Sequence, residues 1–381
     1  EHDAIKEAPT LKEVSIEDLL PRDEICVDLE SVAESLRGKR ILITGSAGSI
    51  GSEIVRQVAS FSPSSLMLID SAETPQHDIR RMMAHDFPSV PCATVVTSIT
   101  KADRMENIFK TFLPEYVFHA AAYKHVPMME DNPCESIQNN VLGTKILADL
   151  SVKYGVRRFV MVSTDKAVNP TNVMGCSKRI CEVYVQSLNK AERDGVVKGQ
   201  TQFITTRFGN VLGSNGSVIP IFERQIKACG PVTVTDPNII RYFMLIPEAC
   251  ELVLEAGTKG EGGEIFVFDM GKPVRIADLA RRMIELSGAK GVEIKYTGLR
   301  DGEKLYEEVL SESEATKPSF NEKIRIACVR EYDWSDVSRE IDALIAQSHT
   351  YDDMAVVASM KHLVPEYISY HSKYTVLDHK A

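Results

Sequence analysis

The sequence lacks paired cysteines, long apolar runs and an excess of basic charge. Its eight cysteines are scattered over 381 residues without a C-x-x-C pair. Neither a disulfide framework nor a zinc site is therefore expected, and the pattern indicates reduced thiols in a cytosol-like compartment. No stretch approaches the roughly 18–20 apolar residues of a membrane span. The chain begins at Glu1 without an initiator methionine or a signal peptide, so we expect a fragment of a longer protein or a processed form.

The charge is acidic on balance. The net charge of −10 is spread along the chain, which argues against nucleic acid as a partner. Any anionic ligand must therefore be met by a local basic pocket. With 44% hydrophobic and 26% charged residues, the composition is that of a soluble globular enzyme that can bury a substantial core.

From Arg40 onwards, β-rich runs alternate with helical patterns, which is typical of β-α-β units and a parallel sheet. The predicted strands of this region are Ile41–Thr44, Leu66–Ile69, Ala93–Thr97, Tyr116–Phe118, Phe159–Val162 and Phe203–Thr206. The predicted helices are Ser49–Ser60, Ala102–Phe112, Ile137–Tyr154 and Val173–Ser187. We expect a Rossmann-type domain over residues 38–208. A lead-in segment, residues 1–37, precedes it and has an amphipathic piece at Val27–Leu36.

Beyond Gly209 the rhythm loosens and turn residues become denser. The shorter predicted strands are Val232–Val234, Ile265–Phe268 and Glu293–Tyr296, and the predicted helices are Glu248–Ala256 and Ile276–Leu286. We assign residues 209–381 mainly to a smaller α/β substrate-binding lobe and a C-terminal tail. This lobe would lie over the carboxyl edge of the sheet, where open α/β sheets bind ligands. The predicted fold class is α/β, a doubly wound parallel Rossmann sheet with this smaller lobe.

A glycine-rich turn follows the first predicted strand. Gly45, Gly48 and Gly51 permit a tight turn and a close backbone approach to a pyrophosphate at the start of a helix. Asp70 ends the second β-rich run, nineteen positions after Gly51, where a ribose-binding acid belongs. A carboxylate repels a 2′-phosphate and no arginine follows in residues 71–73, so NAD is preferred over NADP. The alternative is a structural glycine turn with a chance acid.

A polar run, Thr164-Asp165-Lys166, follows another β-rich strand. Met174 comes eight positions after Lys166, and Lys178 follows Met174 at i+4, so both lie on one face of a helix. Taken alone, a lysine is usually solvated and a helical methionine usually belongs to the core. Together, at the end of a strand beside a dinucleotide loop, these five residues indicate a catalytic site.

Several longer blocks resemble those of one family. The chain is similar to the extended short-chain dehydrogenases/reductases that dehydrate UDP-N-acetylglucosamine (UDP-GlcNAc) in bacterial polysaccharide and glycan biosynthesis. These are the membrane-associated 4,6-dehydratases of the capsular-polysaccharide and bacillosamine-pathway group. The resemblance runs from about Leu19 towards the C-terminus. The blocks that carry it are Thr44–Glu53, Ala120–Pro127, Asn140–Thr144, Ser163–Arg179, Arg207–Pro220 and Gly302–Leu305.

The resemblance implies a hydro-lyase with an internally closed redox cycle, in which a hydride leaves C4 of the sugar and returns to C6 after water has left. Lys166 is the implied base for the C5 proton and Asp165 the implied acid for the C6 hydroxyl, although these neighbours could share the proton. Thr164 would bind the C4 oxygen, and Lys178 the nicotinamide ribose. Met174 stands where most of the superfamily has tyrosine. The large membrane-linked members also carry methionine there, so the exchange does not indicate a dead enzyme.

The motifs and the resemblance together define two sets of binding residues. The implied NAD contacts are Gly45, Ser46, Gly48, Ser49, Ile50, Gly51, Asp70, Ser71, Glu73, Ser98, Ile99, Ala120, Ala121, Ala122, Asn140 and Lys178. The implied UDP-sugar contacts are Lys124, Asn210, Ser217, Val218, Thr233, Arg241, Arg300 and Glu303. Two positions depart from the family: Asp301 replaces a frequent proline, and Ser98-Ile99 replaces an aspartate that often contacts adenine. No metal is implied.

Two alternatives remain open beside the dehydratase that retains C5 and forms UDP-2-acetamido-2,6-dideoxy-α-D-xylo-hexos-4-ulose. An inverting dehydratase would also epimerise C5, but such relatives usually keep the tyrosine. A non-catalytic NAD-binding regulator would explain the missing tyrosine. It would not explain why Thr164, Asp165, Lys166 and Lys178 are all retained.

The resemblance also implies a cellular setting. Transmembrane helices would precede Glu1 and place this soluble portion on the cytoplasmic side of the bacterial inner membrane. Helices near Ile137–Tyr154 and Val173–Ser187 often build dimers in this superfamily, and some relatives form higher rings. We therefore expect a homo-oligomer, without a fixed number of subunits.

Overall fold

The computed structural model describes residue 12 and residues 15–19, 25–310 and 314–378. The strands are β1 (Arg40–Thr44), β2 (Ser65–Asp70), β3 (Cys92–Val96), β4 (Tyr116–His119), β5 (Arg158–Thr164), β6 (Gln202–Phe208), β7 (Asn210–Leu212), β8 (Val232–Val234), β9 (Ile240–Arg241), β10 (Phe243–Leu245), β11 (Ile265–Phe268), β12 (Val274–Arg275), β13 (Ile294–Tyr296), β14 (Ala315–Pro318) and β15 (Ile324–Cys328). The helices are α1 (Leu29–Leu36), α2 (Ser49–Ser60), α3 (Glu73–Asp86), α4 (Ala102–Phe112), α5 (Val126–Asp131), α6 (Pro133–Ser136), α7 (Gly143–Lys153), α8 (Val173–Arg193), α9 (Val218–Lys227), α10 (Ile246–Lys259), α11 (Ile276–Ser287), α12 (Trp334–Ser348) and α13 (Asp353–Leu363).

The predicted elements of the first domain are present with ends shifted by a few residues. A π-helical turn at Ile137–Leu142 leads into α7, and short 3-10 turns span Glu17–Leu19, Asp165–Ala167 and Lys373–Leu377. Much of the predicted lead-in, residues 1–37, lies outside the described residues, and its amphipathic piece forms α1. No helix in the described ranges is long and apolar enough to cross a membrane.

One nine-stranded sheet forms the centre of the fold, in the order β14-β15-β11-β6-β5-β4-β1-β2-β3. Neighbouring strands from β3 to β11 run parallel, and β15 and β14 add an antiparallel edge. One apolar core lies under α4, α7, α8, α12 and α13, and another under α1, α2, α3 and α10. The predicted doubly wound α/β fold is confirmed. The strand order reverses between β1 and β4, whose carboxyl ends open the crevice where such sheets bind ligands.

The predicted division at residue 208 does not follow the sheet. β11, which was assigned to the second lobe, pairs in parallel with β6, and β15 and β14 extend the same edge. β6 is almost wholly buried, so its backbone groups need a strand on this side. The substrate lobe is therefore smaller than predicted. It consists mainly of α9, α11 and the short strand pairs β8–β13 and β9–β12 around an apolar core of its own.

The C-terminal helices cover much of α8, one of the two helices that the resemblance links to dimers. Most of α8 is buried, because α12 and α13 return from the C-terminus and pack on it. Arg179 of α8 reaches Glu366 at 3.4 Å, and the Lys145 ammonium of α7 lies 3.5 Å from Asp342 of α12. The homo-oligomer, and the surface through which it would form, stay predictions.

Candidate active site

The glycine loop lies at the carboxyl end of β1 and turns into α2. Gly45 has a φ of +68°, and a Cβ there would lie 2.7 Å from the backbone nitrogen of Ala121. A Cβ at Gly51 would lie 1.8 Å from the Gly45 carbonyl oxygen. Side chains are therefore excluded from the turn. The first N–H groups of α2, which have no partner within the helix, are left open to a phosphate.

Asp70 ends β2 beside this loop. One carboxylate oxygen accepts a hydrogen bond from the Ala47 N–H (3.0 Å), and the other accepts from the Ala72 N–H (2.8 Å). Each oxygen keeps a lone pair for a ribose hydroxyl. The Ser46 side chain is buried and donates to Gln76 Oε1 at 2.9 Å, and a contact of this residue with a cofactor stays a prediction. Ser46 supports the loop from behind.

The residues predicted for the adenosine end have different surroundings. Ile99 is buried, and a Cβ at Gly143 would lie 2.4 Å from its Cδ1. The Ser98 hydroxyl pairs with that of a neighbouring threonine at 2.7 Å. Ser71 and Glu73 are exposed at the start of α3. Direct contact with a cofactor stays a prediction for these four residues.

Asn140 anchors the loop that follows β4. Its Oδ1 accepts from the Tyr123 N–H at 2.8 Å, and its Nδ2 donates to the Tyr123 carbonyl (3.1 Å) and the Ser177 hydroxyl (3.0 Å). These protein bonds hold the loop in place, and a contact of Asn140 with a cofactor stays a prediction. Ala120 and Ala122 of that loop line the cavity described next.

A cavity of about 1040 Å³ lies between the carboxyl edge of the sheet and the substrate lobe. Predicted residues in its wall are Gly45, Gly48, Ser49, Ile50, Gly51, Ala120, Ala122, Lys124, Thr164, Lys166, Met174, Lys178, Asn210, Ser217, Val218, Thr233, Arg241, Arg300 and Glu303. Predicted residues outside this wall are Ser46, Asp70, Ser71, Glu73, Ser98, Ile99, Ala121, Asn140 and Asp165. The fold thus brings all the predicted substrate residues and four of the five predicted catalytic residues to one cavity that includes the glycine loop.

Thr164, Asp165 and Lys166 form a hydrogen-bonded group at the end of β5. Thr164 Oγ1 donates to Asp165 Oδ1 (3.0 Å) and accepts from the Lys166 N–H (3.2 Å). Lys166 Nζ lies 3.2 Å from Asp165 Oδ1 and 3.2 Å from Asn210 Oδ1. Asp165 is fully buried, and its Oδ2 has no hydrogen-bond partner among the residues described. Asp165 therefore keeps one free acceptor oxygen behind the cavity wall.

The first turns of α8 bring Met174 and Lys178 into the cavity wall. Asn172 caps the helix by accepting from the Gly175 N–H at 2.7 Å. A Cβ at Gly175 would lie 2.1 Å from the Lys166 carbonyl oxygen, so glycine allows the helix to approach the turn Asp165–Ala167. Burial lowers the pKa of Lys178. Met174 is 3% exposed, and it belongs to the apolar core as well as to the cavity wall.

Arg241 and Arg300 meet at Glu303 in the substrate lobe. The Arg241 Nη2 lies 3.6 Å from Glu303 Oε1 and 3.9 Å from Glu307 Oε1. The Arg300 Nη2 donates to the same Glu303 oxygen at 3.3 Å. Both guanidinium groups keep donors that could bind a diphosphate in a two-pronged manner.

The other predicted substrate residues also make protein contacts. Burial lowers the pKa of Lys124, and the positive charge of a nearby lysine lowers it further. The Thr233 hydroxyl accepts from a glutamine of α9 at 2.7 Å, and Ser217 donates to a backbone carbonyl at 2.5 Å just before Val218 begins that helix. Their direct roles in binding stay predictions.

Sequence patterns do not single out His125 and Glu307, which also line the cavity. Burial, reinforced by nearby cationic side chains, lowers the pKa of His125, and burial raises that of Glu307. His125 lies within the block Ala120–Pro127, and Glu307 follows the block Gly302–Leu305. Their closeness to these blocks is the sequence feature that could have identified them as site residues. Among the residues described, no cluster of histidine, cysteine and acidic side chains could hold a metal ion.

Comparison with known families and proteins identifies relatives of this chain. The model of a family described as polysaccharide biosynthesis protein matches residues 41–329. The capsular polysaccharide biosynthesis protein CapD of Staphylococcus aureus is 47% identical over 342 residues, which is 89% of this chain and 56% of that relative. The chain thus spans little more than half the length of the curated relative it matches.

Solved structures share the fold. Pen from Bacillus thuringiensis superposes with a TM-score of 0.71 at 31% identity, over 76% of this chain and 89% of that one. DesIV, a dTDP-glucose 4,6-dehydratase from Streptomyces venezuelae with NAD and TYD bound, superposes with a TM-score of 0.62 at 22% identity, over 71% and 88% of the two chains. The likeness to DesIV shows the fold alone.

Proposed function

Since this chain belongs to the polysaccharide biosynthesis protein family, we propose that it is an NAD-dependent 4,6-dehydratase of UDP-GlcNAc that retains the configuration at C5. The observation that carries the proposal is the hydrogen-bonded group of Thr164, Asp165 and Lys166. Thr164 and Lys166 line the same cavity as Lys178 and the glycine loop, and Asp165 lies behind them. A pure regulator has no use for such a proton-transfer group beside a dinucleotide site.

The glycine loop fits a dinucleotide. A Cβ atom at Gly45 or Gly51 would collide with backbone, so only glycine allows the tight turn that leaves the start of α2 open to a pyrophosphate. Asp70 would bind the adenosine ribose and favour NAD over NADP. Lys178 would hold the nicotinamide ribose. Bound NAD supplies a hydride acceptor that later serves as donor, so no external reductant is needed. DesIV, which shares the fold, is described with NAD bound.

The proton of the C4 hydroxyl needs an acceptor other than Met174, because a thioether has no proton to exchange. The Thr164 hydroxyl donates to Asp165 Oδ1 at 3.0 Å. A C4 hydroxyl that donates to Thr164 would pass its proton along this bond to Asp165. The two residues would thereby perform the step that tyrosine performs in most of the superfamily.

The remaining proton transfers balance within the same group. Lys166 in its neutral form takes the C5 proton, which the adjacent C4 ketone makes acidic. The proton that Asp165 received from the C4 hydroxyl would return through the Thr164 hydroxyl to the C6 oxygen, which leaves as water, because Asp165 itself lies behind the cavity wall. Lys166 then returns its proton to C5 when a hydride is delivered to C6. Two protons leave the sugar and two are returned, so the side chains end in their starting states.

Charge in the cavity wall supports both ends of the substrate. Lys178 would stabilise the negative charge that develops at the C4 oxygen in a site shielded from water. Arg241 and Arg300, which share Glu303, would turn their spare donors to the diphosphate. The choice of UDP-GlcNAc among nucleotide sugars rests on the resemblance of the sequence blocks. The same resemblance supports a homo-oligomer on the cytoplasmic side of the bacterial inner membrane.

Incubation with NAD and UDP-GlcNAc in deuterated water, followed by proton NMR, tests the proposal. We expect a 4-keto-6-deoxy product with gluco-type C5 and deuterium at that carbon. Inverted C5 would support the inverting dehydratase instead. Unchanged substrate, with NAD binding intact, would support the non-catalytic regulator.

Variants of the catalytic group assign the proton roles in the same assay. Lys166→Ala should slow C5 exchange by about 10²–10⁴-fold, the usual contribution of a general base. Asp165→Asn should slow loss of the C6 hydroxyl. Lys290→Ala, at an exposed position of the substrate lobe, is the matched control for Lys166→Ala. Exchange at the parent rate in Lys166→Ala would show that another group is the base.

A further inference from the structure

Glu130 is a buried acid that the chemistry above does not use. It lies in the last turn of α5 and is 4% exposed. Its Oε1 accepts the N–H of Val173, the first residue of α8, at 2.6 Å, and its Oε2 accepts the Ser372 hydroxyl at 2.8 Å. The Tyr374 hydroxyl donates to the Glu130 carbonyl at 3.1 Å. Glu130 thus joins the start of α8 to a segment near the C-terminus.

This segment, residues 368–374, is named the strap. Two of its N–H groups donate to the carbonyls of Pro170 and Thr171, at 3.1 and 3.3 Å, in the loop that leads into α8. Lys361 of α13, which is 1% exposed, donates to Ser369 Oγ of the strap at 2.7 Å. The strap is therefore held on one side by α13 and on the other by the loop that leads into α8.

Gly302 ties the strap to the substrate loop, residues 300–303. Its N–H donates to the Tyr370 carbonyl at 2.7 Å, and its carbonyl accepts from Thr171 Oγ1 (2.9 Å) and Asn172 Nδ2 (3.2 Å). Its φ is +79°, and a Cβ would lie 2.7 Å from that of Asn172. Strap, substrate loop and helix start therefore meet at one point, without room for a side chain at Gly302.

We propose that Glu130 is a positioning residue of the active site. By fastening the strap to the first turn of α8, it holds the substrate loop at a fixed distance from the face of α8 that carries Lys178. It would act through these elements, because both of its carboxylate oxygens are bonded to protein groups. A displacement of about 1 Å between such elements is enough to lower a catalytic rate strongly. Only the kinetic part of the test below rests on the proposed function.

Hydrogen exchange of the full chain tests the connection without any ligand. Glu130→Ala removes both side-chain bonds. Glu130→Gln keeps an acceptor for the Val173 N–H and a partner for Ser372, and Asp131→Asn removes a charge from an exposed neighbour as the control. We expect exchange in a peptide covering residues 298–305 to be roughly tenfold faster in Glu130→Ala, and close to the parent rate in the other two variants. Faster exchange confined to the start of α8 would overturn the proposal.

Kinetics of the same variants show whether the connection matters for catalysis. In Glu130→Ala, kcat/KM for UDP-GlcNAc should fall roughly ten- to a hundredfold with a raised KM, and Glu130→Gln should restore most of it. A purely structural role would lower the melting temperature and leave kcat/KM unchanged well below it. If the parent chain converts no UDP-GlcNAc, the proposed function fails and hydrogen exchange alone decides this proposal.

A second variant covers the case in which Glu130→Ala does not fold. Ser372→Ala removes the bond between Glu130 and the strap, together with the bond that Ser372 Oγ accepts from the Tyr374 N–H, and leaves the Val173 contact in place. We expect it to speed exchange in residues 298–305 in the same direction. Unchanged exchange there would contradict the proposal, since the strap would then be held without Glu130.

Discussion

At the scale of single residues, Met174 is both a core side chain and part of the cavity wall. It is 3% exposed, packs with apolar residues of α8 and α13, and still lines the cavity beside Thr164. Its thioether cannot exchange a proton. Under the proposed function, the proton chemistry would lie with hydrogen-bonded neighbours, of which Thr164 and Asp165 are joined at 3.0 Å.

Replacement of Met174 by leucine should change little, because a similar volume is kept and no proton carrier is lost. We expect kcat with UDP-GlcNAc within a few-fold of the parent and a stability change below about 1.5 kcal/mol. Thr164→Val should lower kcat by about 10²-fold or more, with Thr164→Ser as the control that keeps the hydroxyl. Steady-state kinetics and thermal unfolding measure both. Equal losses of kcat in Met174→Leu and Thr164→Val would contradict the proton path through Thr164.

At the scale of elements, His119 connects β1, β4 and α7 beneath the site. Its Nδ1 shares a hydrogen bond with Thr44 Oγ1 at 2.7 Å, and its Nε2 shares one with Thr144 Oγ1 at 2.8 Å. Burial, reinforced by Lys178, lowers the pKa of His119 well below its usual range. The ring is therefore neutral in the folded protein at neutral pH. It joins the cofactor loop to the helix beneath it without adding charge.

This buried ring should make folding stability depend on pH. The unfolded chain binds a proton at His119 near pH 6.5, whereas the folded chain resists protonation. Stability should therefore be full above about pH 6.5 and fall as the pH drops below it. His119→Gln should lose this part of the dependence while costing about 1–3 kcal/mol at pH 8. His85→Gln, at a side chain 89% exposed, is the control. Urea unfolding at several pH values measures it, and an unchanged slope in His119→Gln would refute the assignment.

At the scale of the whole molecule, the second half of the chain completes the first. β11, β15 and β14 extend the sheet beyond β6, and α12 and α13 cover α8. The strap then forms hydrogen bonds to Pro170 and Thr171 in the loop that leads into α8. The cofactor half and the substrate half are therefore interleaved along the chain, and the active site depends on residues from both.

A fragment of residues 38–208 should consequently fail to fold cooperatively. It would expose the apolar face of α8 and leave β6 without its outer neighbour, so it loses buried area that the entropy of ordering requires. Near-ultraviolet circular dichroism and urea titration of this fragment, compared with the full chain, measure the outcome. A sharp urea transition in the fragment would show instead that the first half is an independent domain.

Side-chain direction limited the prediction of the site. Gly45, Gly51 and the run 164–166 were recognisable because their chemistry depends on neighbours close in the chain. Ser46 and Asn140 lie in equally recognisable blocks. The directions of their side chains depend on partners such as Gln76 and Tyr123, which only the packed structure brings near, so spacing alone does not predict these contacts.

The sequence by itself determined the alternation of strands and helices, the glycine loop, and the polar run Thr164-Asp165-Lys166 at the end of β5. These features follow from local periodicity and short spacings, which act before any distant contact forms. Only the tertiary structure decided that β11 joins the main sheet, that α12 and α13 occupy the face of α8, and that Glu130 meets the strap. Each of those depends on which strand edge, apolar face or buried carboxylate finds a partner far away in the sequence. The local pattern of such segments is compatible with several partners.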